Sequence, residues 1–186
     1  KKQRENDKYV LKVKNRPPKK IKDLVPGALI EKHMKYIEKL GRFKNEHKKK
    51  ARENFFYQHT EIDSFTRIRT IEITETFESE EAKEAHKRAE TRFPFETACI
   101  NTDNGSENRG IFEENLQTEN IFHFYSNAGT PTDNPRVERS HLTDDQEFLS
   151  KGNIFNTLEE QKEAAAKWEN IYNVKSFLHV FIGNMF

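Results

Sequence analysis

The order in which the hydrophobic period changes along this chain restricts its fold more than any other feature. Three segments with strand character come first: Leu29 to Ile37, Phe55 to Ile62 and Ile68 to Ile73. The first alternates apolar and polar residues, and the other two are rich in aromatic and β-branched residues. Asp63-Ser64-Phe65-Thr66 joins the second to the third, so short joins predict an antiparallel meander. The period then turns helical. Ala82, Ala85, His86 and Ala89 share one face of a predicted helix from Glu78 to Arg92, which Phe93-Pro94-Phe95 ends. A short strand (Thr97 to Thr102), a short helix (Ile111 to Leu116) and a fifth strand (Asn120 to Tyr125) follow. After a loop from Gly129 to Asp133, Asn134 is a good N-cap and Pro135 suits the first helical position. A helix is expected from there to about Leu149, then a final amphipathic helix from Leu158 to Tyr172 with Trp168 on its packing face. This order predicts an α/β fold: a five-stranded mixed sheet, a three-strand meander plus two parallel strands, with helices on both faces.

The 186 residues fit one ordinary domain. Hydrophobic residues make up 33% and charged residues 34%, so the core must be small. Yet 15 Phe, 5 Tyr and one Trp exclude a plainly disordered chain. The alanine face of the first helix covers little area for its length. Net charge is only +1, so bulk charge announces no nucleic-acid partner. Its distribution says more: ten Lys and Arg crowd the first 22 residues, and Lys48-Lys49-Lys50 follow. Such segments neutralise phosphates, although a solvated tail is the plainer reading. Residues 1–25 read as a basic linker or arm. The single cysteine, Cys99, excludes an intrachain disulfide and reads as a small core residue. No 18-residue apolar run predicts a transmembrane helix, and the basic N-terminus lacks the apolar stretch of a signal peptide. A reducing cytoplasmic setting is expected. The chain opens at Lys1 without Met, as expected of a piece of a longer protein.

Two strings carry the chemistry: Thr102-Asp103-Asn104-Gly105-Ser106-Glu107 and Asn134-Pro135-Arg136-Val137-Glu138-Arg139-Ser140-His141. Asp103 ends a strand and so points at the crevice where α/β sheets bind ligands. Glu138 lies near the first turn of a helix, from which it can face the same crevice. Paired carboxylates hold divalent ions, and two such ions can clamp the attacking and leaving oxygens of a phosphate displacement. The plainer reading gives Asp103 a turn with Asn104-Gly105. Arg136, Arg139 and His141 lie along the Glu138 helix and suit either DNA phosphates or a solvated face. Lys48, Lys49 and Lys50 are candidates for tracking DNA beside the crevice. His123 reads as structural. Ser106 has no paired His and acid to activate it.

These residues resemble a known family, the catalytic cores of bacterial insertion-sequence transposases and retroviral-type integrases. TDNGSE at 102–107, GTP at 129–131, N-x-x-VERSH at 134–141 and Glu147-Phe148 carry the likeness. Trp168, Tyr172 and Asn173 match the end of such cores. Pro26-Gly27, Leu40-Gly41-Arg42-Phe43 and Ile62 to Arg67 match upstream. The resemblance covers roughly 26–175, leaving 176–186 as a C-terminal tail. It implies a ribonuclease H-like fold and an Asp-Asp-Glu triad binding two Mg²⁺ (or Mn²⁺) ions. Asp103 takes the second triad position and Glu138 the third. Their separation, 138 − 103 = 35 positions, is one short of the commonest family spacing. The implied partners are DNA, as element ends and target, and further copies of the chain. The implied place is the bacterial nucleoid.

One departure decides what to expect of activity. The strand Leu29-Ile30-Glu31 to Ile37 puts His33 where the family's first Asp stands. Asp63 matches another position, opening the turn after the second strand. Mg²⁺ prefers hard oxygen ligands, whereas imidazole suits Zn²⁺ or Mn²⁺-like ions. The expected result is one-metal binding or none, with strand transfer greatly reduced. Three readings follow: an impaired transposase or integrase core, an inactive DNA-binding or oligomerisation remnant of one, and, more weakly, a nuclease acting on RNA–DNA hybrids.

Overall fold

In the computed structural model, residues 16–40, 52–126 and 134–182 are described, with side chains as far as Ser176. Lys48, Lys49 and Lys50, most of the 41–52 connection, the loop at 129–133 and the first 15 residues of the basic arm lie outside them.

Among the described residues five strands form one sheet: β1 (Ile30–Glu38), β2 (Phe55–Asp63), β3 (Arg69–Thr74), β4 (Cys99–Thr102) and β5 (Phe122–Tyr125), in the order β3-β2-β1-β4-β5. β2 pairs antiparallel with both β1 and β3, while β4 is parallel to β1 and β5 to β4. The expected meander plus two parallel strands is therefore present. Among the described residues four α-helices cover it: α1 (Ser79–Glu90), α2 (Ile111–Thr118), α3 (Pro135–Thr143) and α4 (Leu158–Ile182). α4 runs on past Tyr172, where the amphipathic period ends.

Strand alternation sends neighbouring residues to opposite faces. On one face Ile30 and Ile100 pack with Ala82, Phe112 and Leu116, beneath α1 and α2. On the other, Ile37, Phe56, Ile71 and Ile73 pack with Phe148, Ala165 and Trp168, beneath α4. Ala82, Ala85, His86 and Ala89 are all buried, as their helical spacing predicts. Their small side chains bring α1 close enough for His86 to reach the sheet. There Glu61 accepts from Lys32 Nζ at 2.9 Å and lies 2.9 Å from His86 Nδ1. Burial pushes the Glu61 carboxyl up, but His86 and then Lys32 outweigh it and hold the group down at about 2.

The helix expected to run to Leu149 changes form. After Thr143 a π turn spans Asp144–Phe148 and turns both of those residues inward. Asp144 takes Arg69 NH2 and Trp168 Nε1 on Oδ1, each at 2.7 Å, and Gln58 Nε2 on Oδ2 at 2.7 Å. Arg69 is fully buried, its guanidinium 3.6 Å from the centre of the Tyr172 ring. Asn173 accepts from Arg69 N at 2.9 Å and donates to Arg69 O at 2.8 Å, while Glu169 accepts from Ile71 N. α4 thus occupies the free backbone groups of β3 at the sheet edge. Cys99 opens β4 partly exposed, short of the core position expected for it.

Candidate metal centre

β1, β4 and α3 bring His33, Asp103 and Glu138 together. His33 Nδ1 lies 3.3 Å from Asp103 Oδ2, and His33 Nε2 lies 3.7 Å from Glu138 Oε1. Their side chains are 27%, 35% and 39% exposed, an open crevice and not a sealed core. Asp103 follows the last residue of β4 and serves two ends at once. Its Oδ1 accepts from Gly105 N and Asn108 Nδ2, each at 2.9 Å, which is the turn role. Its Oδ2 faces His33. A Cβ on Gly105 would overlap the Glu107 carboxylate, so the glycine lets that buried group fold over the turn.

The placing of α3 departs from the expected capping. Asn134 makes no side-chain bond to the helix end; its amide oxygen instead accepts from Asn101 Nδ2. The free N–H groups are taken by Glu31, whose Oε2 accepts from Arg136 N at 2.7 Å and Val137 N at 3.2 Å. Glu31 is 1% exposed, and burial raises its carboxyl above the ordinary value despite those bonds. It stands two residues before His33 on the same face of β1. The strand that carries His33 therefore also anchors the helix that carries Glu138. Sequence reasoning missed Glu31 because no motif marks it; the spacing of two from His33 was the available signal.

His141 does not lie on an outer phosphate-facing surface. It is 6% exposed, its ring 5.4 Å from that of His33, because i and i+3 share a helix face and Glu138 already faces inward. Arg136 and Arg139 fall on the other side of α3. With Arg67, Lys175, Trp168 and Tyr172 they line a pocket of about 640 Å³. His123 bonds Thr102 Oγ1 at 2.9 Å and packs on Tyr125, a structural place. Asp63 holds its turn, accepting from Gly27 N at 3.0 Å and from Thr66 N and Oγ1 at 2.7 Å.

Charge follows from this geometry. Burial alone would lower the His33 pKa, but its bond to Asp103 and the charges of Asp103, Glu138 and Glu107 raise it. Asp103 is correspondingly lowered: burial opposes, but the His33 contact and Gly105 N–H outweigh it. His141 is held well below its ordinary value, by burial first and then by His33, Lys35 and Arg69. A pair of Mg²⁺ ions does not fit this donor set. An imidazole ring stands between the two carboxylates, where a bridging carboxylate would be needed to neutralise two hard cations.

No protein-family model matches the sequence, and no curated protein matches it. Solved structures do match its fold. A chain of the simian T-cell lymphotropic virus intasome in complex with PP2A regulatory subunit B56 gamma superposes with TM-score 0.62 at 17% identity, over 81% of this chain and 51% of that one. This chain thus spans about half the length of that match. The HTLV-2 integrase catalytic core domain in complex with magnesium matches in its trimeric form with TM-score 0.52, 16% identity and coverages of 84% and 86%. In its dimeric form the values are 0.56, 16%, 76% and 86%. The fold is that of an integrase catalytic core, ribonuclease H-like.

Proposed function

We propose that this chain is a DNA-engaging core of the integrase and transposase type, with metal-dependent donor cleavage and strand transfer strongly reduced. The observation that carries the proposal is the meeting of Asp103 and Glu138 across His33, in an integrase-core fold. In such cores the reaction is in-line attack on a DNA phosphodiester, by water in cleavage and by a 3′-hydroxyl in strand transfer. Bound Mg²⁺ or Mn²⁺ supplies the electrostatic stabilisation of that attack. The residues here would do less: Asp103 and Glu138 as metal ligands, with His33 a poor substitute for the missing carboxylate. Arg136 and Arg139 are proposed to meet DNA phosphates from the far side of α3, where their pocket also carries Arg67 and Lys175. Lys48, Lys49 and Lys50 are proposed to extend that contact.

His33 also supports a second reading, an inactive DNA-binding or oligomerising relative of such enzymes. Self-association belongs to both readings, since two of the similar structures are a dimeric and a trimeric form. A nicking assay on duplex DNA with Mg²⁺ and with Mn²⁺ separates them. The native chain is expected to cleave weakly or not at all, and His33→Asp to gain cleavage. A reversion that still fails to cleave while binding DNA favours the second reading. Strong Mg²⁺-dependent cleavage by the native chain, unchanged in His33→Asp, refutes the role given to His33.

A further inference from the structure

We propose that, in place of a family-type ion held by Asp103 and Glu138, the site binds a single divalent transition-metal ion of the Zn²⁺, Co²⁺ and Mn²⁺ class through His33, Glu138 and His141, with Asp103 no longer a ligand but orienting His33. One donor atom from each of the three residues lies within 4.8 Å of the others. Two imidazoles and one carboxylate form a borderline donor set, suited to transition metals and poor for Mg²⁺. Glu138 and His141 stand three residues apart on α3, so a single helix face presents both.

Two independent observations point to a ligand. His141 is nine-tenths buried, and its Nε2 has no hydrogen-bond partner. An orphaned ring nitrogen is costly unless something accepts its lone pair or takes its proton. Asp103 supplies the second. A metal-bound histidine commonly gives its other N–H to a carboxylate, which fixes the tautomer. His33 Nδ1 at 3.3 Å from Asp103 has that arrangement, leaving Nε2 turned to Glu138. Three protein donors leave a fourth position open to an oxygen ligand, the pattern of a reactive and not a purely structural ion.

The inference concerns the same crevice as the proposed function but needs no DNA, so the two can fail separately. Co²⁺ serves as the probe, in equilibrium dialysis and visible absorption on untagged protein. One equivalent is expected, displaced by Zn²⁺ and not by a large excess of Mg²⁺. His141→Asn and Glu138→Gln should each weaken binding about tenfold or more, and Asp103→Asn by about ten- to a hundredfold. Circular dichroism of each variant separates lost binding from lost folding, and the part-exposed Glu138 gives a variant free of core disruption. His86, Glu90 and Glu119 form the other such group among the described residues, so Glu119→Gln is the control. Binding lost in Glu119→Gln but retained in His141→Asn overturns the proposal. So does the absence of Co²⁺ binding, or displacement by Mg²⁺.

Discussion

Lys32 and His33 are adjacent in β1, yet each enters a different cluster of histidine and carboxylate. Lys32 joins Glu61 and His86 beneath α1, with side chains only 1%, 2% and 0% exposed. His33 joins Asp103 and Glu138 beneath α3, with side chains at 27%, 35% and 39%. The residue types are nearly the same. In the sealed cluster Lys32 and His86 Nδ1 both meet Glu61, while His86 Nε2 keeps no hydrogen-bond partner. In the open one, His33 is shared between two part-exposed carboxylates, and His141 Nε2 likewise keeps no partner. Burial, and not residue identity, separates a structural ion cluster from a chemical one.

The largest expected effect breaks the sealed cluster. Glu61→Leu leaves Lys32 and His86 buried without their counter-charge and should cost about 3–5 kcal/mol in denaturant unfolding. The triple variant Lys32→Met, Glu61→Leu, His86→Leu removes every charge and should recover most of that loss. A triple variant as unstable as the single one would mean that the ions, and not their mutual neutralisation, are required.

The next effect is pH-dependent and belongs to the same face. Burial, then Lys32, hold His59 down at about 3, below its ordinary 6.5. Between those values the unfolded chain takes up a proton that the folded chain refuses, so this group makes stability fall as pH falls through that window. In His59→Asn that slope disappears, and the unfolding midpoints of variant and parent should converge between pH 7 and pH 4. Parallel curves would show that His59 is protonated in the fold.

The smallest effect belongs to the open cluster. Asp103→Asn keeps an oxygen for the turn and loses only a partly solvated charge, so it should change stability by about 1 kcal/mol or less. A cost as large as that of Glu61→Leu would place Asp103 among the structural carboxylates and erase the contrast.

Much of this was legible in the sequence. The three strands and the alanine face of α1 follow from period, and the convergence of His33, Asp103 and Glu138 from the family resemblance. The rest depends on tertiary partners. Asn134 looked like a cap by type, but Glu31 from β1 took the helix end. His141 looked solvent-facing because its neighbours are arginines, but the face that carries Glu138 carries it inward too. The π turn at Asp144 is set by Arg69, Gln58 and Trp168, residues distant in sequence, and no local period foretells it.

Glu169 and Asn173 of α4 have a consequence for how copies of this molecule can meet. Their bonds to Ile71 and Arg69 consume donors and acceptors that an incoming strand would need. Sheet extension through β3 is thereby blocked, which also guards against runaway fibre growth from that side. The opposite border, β5, offers only Phe122–Tyr125. Among the described residues, pairing of copies through a continuous sheet is disfavoured at both borders.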